Sequence, residues 1–450
     1  MRAPGKFVVG FAVSVALSGS ATAAAQEPAE PPRTGFELRS SAPGAGGATP
    51  VAWTTLEEEA AYLAAIDAAS ERVVVDVVGE SVQGRPLRLV RIGAPAPRDL
   101  ATAAEGRTVL FTCSQHGDEP AGREGCLQRI RELAFTDDPR TLQHLRSTTI
   151  LFMPAANPDA SLADRRQNAQ GIDINRDHLD AVTPEAQTID RLIRDVRPDV
   201  VADMHEFTSR PLYDPELLYL WPRNRNVDPA VYRLSRRLST RYVGPGAEAA
   251  GFSSGVYGIL TLDGRQIAQD AGDEDERILR NAVGLRHAVG LLVETDEGAN
   301  RRNPEEADDR VAVQRRRVAT QVQAGIDVLR FQRDRAAEIE AATEEAPERA
   351  AAEGAARDEP FYLGGADNDL PPSSQVLYPP PCAYDITATQ ARRLADVFDL
   401  HGIVTEERGA DVRVPMAQAA QPRIPLLLDP AARFSPIDGR RVTTCATAGV

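Results

Sequence analysis

Four short apolar runs, Thr108–Cys113, Thr149–Met153, Asp199–Met204 and Val289–Val293, constrain this chain more than any other feature. Each is continuous rather than alternating and rich in β-branched residues, as strands buried on both faces of a parallel sheet are. Helical patterns separate them. In one of these, Thr183-Pro184 supplies N-cap and first helical residue, Ile189, Leu192, Ile193 and Val196 share a face, and Pro198 stops the pattern. Upstream, helical spacing over Glu57–Ala69 precedes strand patterns at Val73–Val78 and Pro86–Ile92, joined by a turn at Gln83-Gly84-Arg85. The alternation predicts an α/β fold: a mixed, mostly parallel sheet flanked by helices on both faces, with a small C-terminal α/β appendage.

A chain of 450 residues leaves room for that domain and about 100 residues more. Arg2 and Lys6, the apolar run Phe7–Leu17 and small residues through Ala25 have the layout of a secretory signal over 1–25. The run is too short to span about 30 Å of hydrocarbon, so no membrane insertion is expected after cleavage, and the mature protein is expected to be secreted or periplasmic. Residues 26–52, rich in Pro, Ala, Gly and Ser, read as a flexible leader, and 53–335 as the main domain. The Ala-, Glu- and Arg-rich stretch 336–360 reads as a helix fading into a linker. Residues 361–450, with an amphipathic helix around Thr387–Leu400, read as the small second domain. A net charge of −15 argues against nucleic-acid partners. The four cysteines allow three pairings. Cys382 with Cys445 is preferred because both lie in the appendage, while Cys113 reads as a core residue.

Of six histidines, only His116 has a glutamate three residues on, in Gln115-His116-Gly117-Asp118-Glu119-Pro120. This segment follows one predicted strand directly, and Pro120 opens a helix. Both ligand candidates therefore fall at the carboxyl end of a strand, where open α/β sheets place their sites. His205 ends a later strand in the same way. Two histidines and a carboxylate form a set suited to one catalytic Zn²⁺ per chain, with a fourth position left for water. Glu294 closes the last apolar run, where partial desolvation moves a carboxyl pKa toward that of a general base. Residues Arg166 to Asp177 add two arginines and two asparagines, a composition suited to holding a carboxylate and a developing oxyanion.

In their order, His-x-x-Glu, Asn-Pro-Asp at 157–159, Arg-x-Asn-x-x-Gly-x-Asp-x-Asn-Arg at 166–176, a strand-terminal His and a strand-terminal Glu, these motifs resemble the carboxypeptidase A-like zinc metallopeptidases. Gly79, Ser81 and Gly84-Arg85-Pro86 resemble that family's early strand pair, and the likeness covers about residues 53–330. The resemblance implies a zinc-dependent hydrolase that removes a C-terminal residue from peptides. In it His116, Glu119 and His205 hold zinc, and Glu294 activates water. Arg166 stabilises the oxyanion, Asn175 and Arg176 bind the terminal carboxylate, and Asp173 orients His116. The substrate is expected to be a peptide or an N-acyl amino acid with a free carboxylate. A deacylase acting on an N-acyl amino acid or a cell-wall peptide is the related alternative, and an inactive binding module the unrelated one.

The sequence departs from the family's digestive members in three respects. His205 follows Glu119 by only 86 positions. No tyrosine lies in 263–281, where a mobile-loop tyrosine is expected, and Tyr257 is the nearest substitute. Glu206, immediately after the third ligand, adds an acidic group beside the metal.

Overall fold

The computed structural model describes residues 30–262, 265–269, 271–298 and 308–445, so the expected signal segment lies outside the described residues. Residues from Pro32 onward form one compact unit. Its large sheet comprises β1 (Val73–Glu80), β2 (Pro86–Ile92), β3 (Arg107–Cys113), β4 (Thr148–Met153), β5 (Val200–Phe207), β6 (Leu217–Leu220), β7 (Ser254–Val256) and β8 (Val289–Asp296). The spatial order is β1-β2-β4-β3-β5-β8-β6-β7. The four apolar runs are the parallel centre, β4-β3-β5-β8, and antiparallel pairs flank it.

Alternation across the pleat sends side chains of each central strand to opposite layers. Val109, Phe111, Val200, Ala202, Val289 and Leu291 pack on one side in the same cluster as Leu63 of α2 (Leu56–Ala69), Leu127 of α3 (Pro120–Phe135) and Phe331. Leu110, Leu151 and Val201 pack on the other with Ile189 and Leu192 of α4 (Pro184–Val196) and Val283 of α5 (Leu279–Leu285). Both faces are therefore covered, which is why these strands lack a polar side.

Three expectations about chain organisation are corrected. Part of the supposed leader is ordered: Thr34 caps a helix at Gly35–Ser40 with a capping box, and Phe36 stacks on Trp53 at 4.7 Å. A single aromatic anchor and polar contacts such as Arg39 with Glu58 at 2.6 Å hold it, which leaves no apolar period to read. The supposed linker is the second half of a 47-residue helix, α6 (Arg310–Ala356). Its buried stripe there is Ile339, Ala342, Ala346, Ala350 and Gly354, small residues that allow close approach. A Cβ at Gly354 would lie 2.0 Å from the Met416 carbonyl oxygen of the C-terminal region. Finally, Cys113 is no free core thiol: it is bonded to Cys126, alongside the anticipated Cys382–Cys445 bridge.

The C-terminal region carries a four-stranded antiparallel sheet of β9 (Ala383–Thr387), β10 (Glu406–Arg408), β11 (Asp411–Pro415) and β12 (Arg440–Val442), ordered β10-β11-β9-β12. The helix read at Thr387–Leu400 is there, capped by Thr387 and interrupted at Leu394. No helix among the described residues is long and apolar enough to cross a membrane.

Candidate active site

The site grows from the loop that follows β3. Ser114 adopts φ 53°, an uncommon value for a residue with a Cβ, and turns the chain sharply off the strand. Its hydroxyl donates to the Glu119 carbonyl at 3.1 Å. Gly117 is required by proximity, since a Cβ there would lie 2.0 Å from the Ala160 carbonyl carbon. Asn157 caps the helix Pro158–Ala163 and donates from Nδ2 to the Gln115 carbonyl at 3.0 Å. Asp159, the third residue of that motif, receives Ser81 Oγ at 2.8 Å, Arg85 Nη1 at 2.5 Å and the Gln83 N–H at 2.9 Å. The early strand-pair residues and Asn-Pro-Asp are thus one structural brace. With the Cys113–Cys126 disulfide closing the loop from its other side, His116 and Glu119 sit on backbone held at several points.

His205 reaches the same place from β5, which runs on to Phe207 rather than stopping at Met204. Parallel pairing with β8 continues past the apolar run, Glu294 opposite His205 and Asp296 opposite Phe207, so backbone hydrogen bonds extend both strands beyond their hydrophobic segments. His116 Nδ1 lies 2.6 Å from Glu119 Oε1, and His205 Nδ1 lies 2.7 Å from Glu119 Oε2. The two Nδ1 atoms are 3.1 Å apart. Two imidazole nitrogens and a carboxylate thus converge, with candidate ligand atoms all within 4.8 Å of one another, a donor set that fits a tetrahedral cation with one open position. Burial raises the Glu119 carboxyl, but the two histidines outweigh it and hold the group well below the usual carboxylate range.

Both outer ring nitrogens face carboxylates. His116 Nε2 lies 3.0 Å from Asp173 Oδ1, and His205 Nε2 lies 2.8 Å from Asp203 Oδ2. Asp203 is the residue that sequence reasoning missed. Once β5 is known to include His205, the period of two puts Asp203 on the same face, which was the available signal. Asp203 also accepts from Gln115 Nε2 at 2.7 Å and Asn175 Nδ2 at 3.2 Å. Replacing Asp203 by Asn should weaken divalent-metal binding roughly 10–100-fold, because the imidazole loses the partner that fixes its orientation. Competition with a chromogenic chelator measures this, and an unchanged affinity would make Asp203 dispensable.

Asp173, Asn175 and Arg176 lie in or next to the 3-10 turn Ile174–Arg176, and Arg166 packs against them. Arg166 donates from Nε to Asp173 Oδ2 at 3.0 Å and sets Nη1 3.6 Å from Glu119 Oε1, so this guanidinium borders the ligand set. Asn175 is spent internally: its Nδ2 goes to Asp203, and its Oδ1 accepts the Leu279 N–H at 2.8 Å. Arg176 is less committed, with Nη1 on the Asn175 carbonyl, Nε 3.8 Å from Asp275 Oδ2 and 39% of its side chain exposed. Glu294 is buried, and burial pushes its carboxyl well above the usual range against the pull of His205. Tyr257 has its hydroxyl raised by Glu294 first and by burial second. Glu206 has both oxygens occupied, by Arg317 Nε (2.7 Å) and the Ala121 N–H (2.8 Å). A cavity of about 460 Å³ joins His116, Glu119, Arg166, Arg176, Tyr257 and Glu294. The fold therefore assembles every residue singled out in the sequence, with Asn175 acting as a brace.

The arrangement is an α/β sheet that presents a His-Glu-His set, able to hold a metal ion, beside a buried glutamate and three arginines. Residues 59–215 match the model of the zinc carboxypeptidase family. The matched segment includes the three ligand candidates and Arg166 to Arg176, and ends before Tyr257 and Glu294. The chain is 32% identical over 226 residues to carboxypeptidase 2 of Trichophyton rubrum, covering 48% of this chain and 42% of that protein. It is 34% identical over 129 residues to carboxypeptidase E of Caenorhabditis elegans, covering 25% and 27%. It spans less than half the length of these curated relatives. Among solved structures, a metallo-carboxypeptidase from Pseudomonas aeruginosa in complex with (2-guanidinoethylmercapto)succinic acid aligns with TM-score 0.49 and 21% identity, over 64% of this chain and 70% of that one.

Proposed function

We propose that this chain is a secreted or periplasmic zinc metallocarboxypeptidase, with one Zn²⁺ held by His116, Glu119 and His205. The observation that carries the reading is the register of β5 and β8, which sets Glu294 beside the ligand strand at the edge of a cavity that three arginines also line. Zn²⁺ in this donor set supplies Lewis acidity toward a carbonyl and toward water. Glu294 takes the proton of the attacking water and passes it to the leaving nitrogen. Arg166, fixed by Asp173, offers N–H donors where the oxyanion develops. Arg176, which has no carboxylate within hydrogen-bond distance, takes the α-carboxylate of the substrate. Asn175 holds Arg176 in place through the bonds described above, and Tyr257 closes the cavity wall.

The test is the carboxylate requirement. Arg176→Ala should raise KM at least about tenfold for blocked dipeptides with a free C-terminus and leave slow turnover of their amides nearly unchanged, since only the former offer the guanidinium a partner. Equal losses on acid and amide would make Arg176 structural. Running the panel with N-acyl amino acids as well separates peptidase from deacylase.

A further inference from the structure

The largest of the fully buried side chains is an arginine, Arg280, and it lines the same cavity. It is the second residue of α5, and the Asn175 Oδ1 bond to the Leu279 N–H holds this helix start against the residue preceding Arg176. A buried guanidinium ordinarily has a carboxylate partner. Arg280 forms no ion pair among the described residues. Its Nη2 donates to the Asp273 main-chain carbonyl at 2.5 Å, its Nε has no partner, and Nη1 makes no hydrogen bond. The Asp273 carboxylate is turned to the Asp275 N–H at 3.4 Å. Nearby Arg223 offers no relief, being a cation itself and paired with Asp367 at 2.5 Å. Burial lowers the Arg280 pKa to about 10, still high enough for a full charge at neutral pH.

A desolvated cation left with unused donors at a substrate cavity is complementary to an anion brought by the ligand. Arg176 and Arg166 are partly exposed, at 39% and 40% of their side chains, whereas Arg280 is buried, so a further cation lies deeper in the cavity than these two. Resting on the carboxypeptidase reading, in which Arg176 takes the α-carboxylate, we propose that Arg280 binds the side-chain carboxylate of an acidic C-terminal residue, so that the substrates are peptides ending in glutamate or aspartate.

Three N-blocked dipeptides that differ only in ending with Glu, Gln or Leu test this on the zinc-loaded protein. The wild type should show kcat/KM for Glu at least about 10²-fold above Gln, because an amide of the same shape leaves the buried charge unpaired. In Arg280→Gln the Glu-to-Gln ratio should fall to near 1, and Arg280→Lys should keep part of it. A second, turnover-independent arm titrates free L-glutamate and L-glutamine calorimetrically, with glutamate expected at least about tenfold tighter in the wild type and not in Arg280→Gln. Should Arg280→Gln fail to fold, the wild-type contrast and the lysine variant carry the test. Equal handling of Glu and Gln by the wild type overturns the proposal, as does a Glu-to-Gln ratio that survives Arg280→Gln. If none of the peptides is cleaved, the carboxypeptidase reading falls, and the calorimetric arm decides Arg280 by itself: discrimination supports the acidic subsite and its absence overturns it.

Discussion

Glu294→Gln should lower kcat by at least roughly 10²-fold, the lower end of what a positioned acid–base group contributes, with zinc content and thermal unfolding near wild type. The substitution keeps the side chain's shape on a strand whose register with β5 is fixed over eight residue pairs, so the backbone has no cause to move. What it removes is a carboxyl that burial has already shifted toward the protonated state and that lines the cavity with the ligand set. The measurement is single-turnover rate alongside metal analysis of the same sample. Loss of zinc would move Glu294 into the ligand shell. Retained turnover would require another base, and Glu206 is a poor one, because Arg317 and the start of α3 occupy both its oxygens.

His205→Ala should lower metal affinity by more than the roughly 10–100-fold expected for loss of a supporting partner, because a ligand atom itself is removed. The variant should bind clearly less than one zinc per chain after dialysis against metal-free buffer, and activity should be lost with it. A further cost follows from burial. Asp203, wholly enclosed and kept ionised largely by His205, loses its main counter-charge, so apo His205→Ala should also be less stable than apo wild type. Metal analysis showing full occupancy in this variant would refute the assignment of His205. A stability unchanged in the apo form would show that Gln115 and Asn175 satisfy Asp203 without it.

The sequence by itself determined which candidate residues meet at one edge of the sheet and the layer they stand in. Continuous apolar runs can be stable only inside a doubly covered sheet, and polar residues that interrupt such runs at their carboxyl ends must gather at one edge. For this reason His116, Glu119, His205 and Glu294 were legible before any coordinates, as was the pairing of Cys382 with Cys445. What only the tertiary structure decided are relations between segments far apart in the chain. Asp203 sits inside an apolar strand and reads as a misplaced charge until β5 is seen to extend through His205 and turn both side chains to one face. Asn175 reads as a free amide until Leu279, 104 residues later, claims its oxygen. Arg280 stands in a short helix with no motif around it. Only the packing of that helix against the 174–176 turn shows an arginine buried beside a cavity with no ion-pair partner among the described residues. The stripe of alanines in α6 is invisible for a related reason: small residues bury little apolar area, and their use as a contact surface depends on a neighbour whose position no local pattern encodes. Periodicity reports how a segment meets its surroundings on average, whereas partner identity is set by long-range register and close approach.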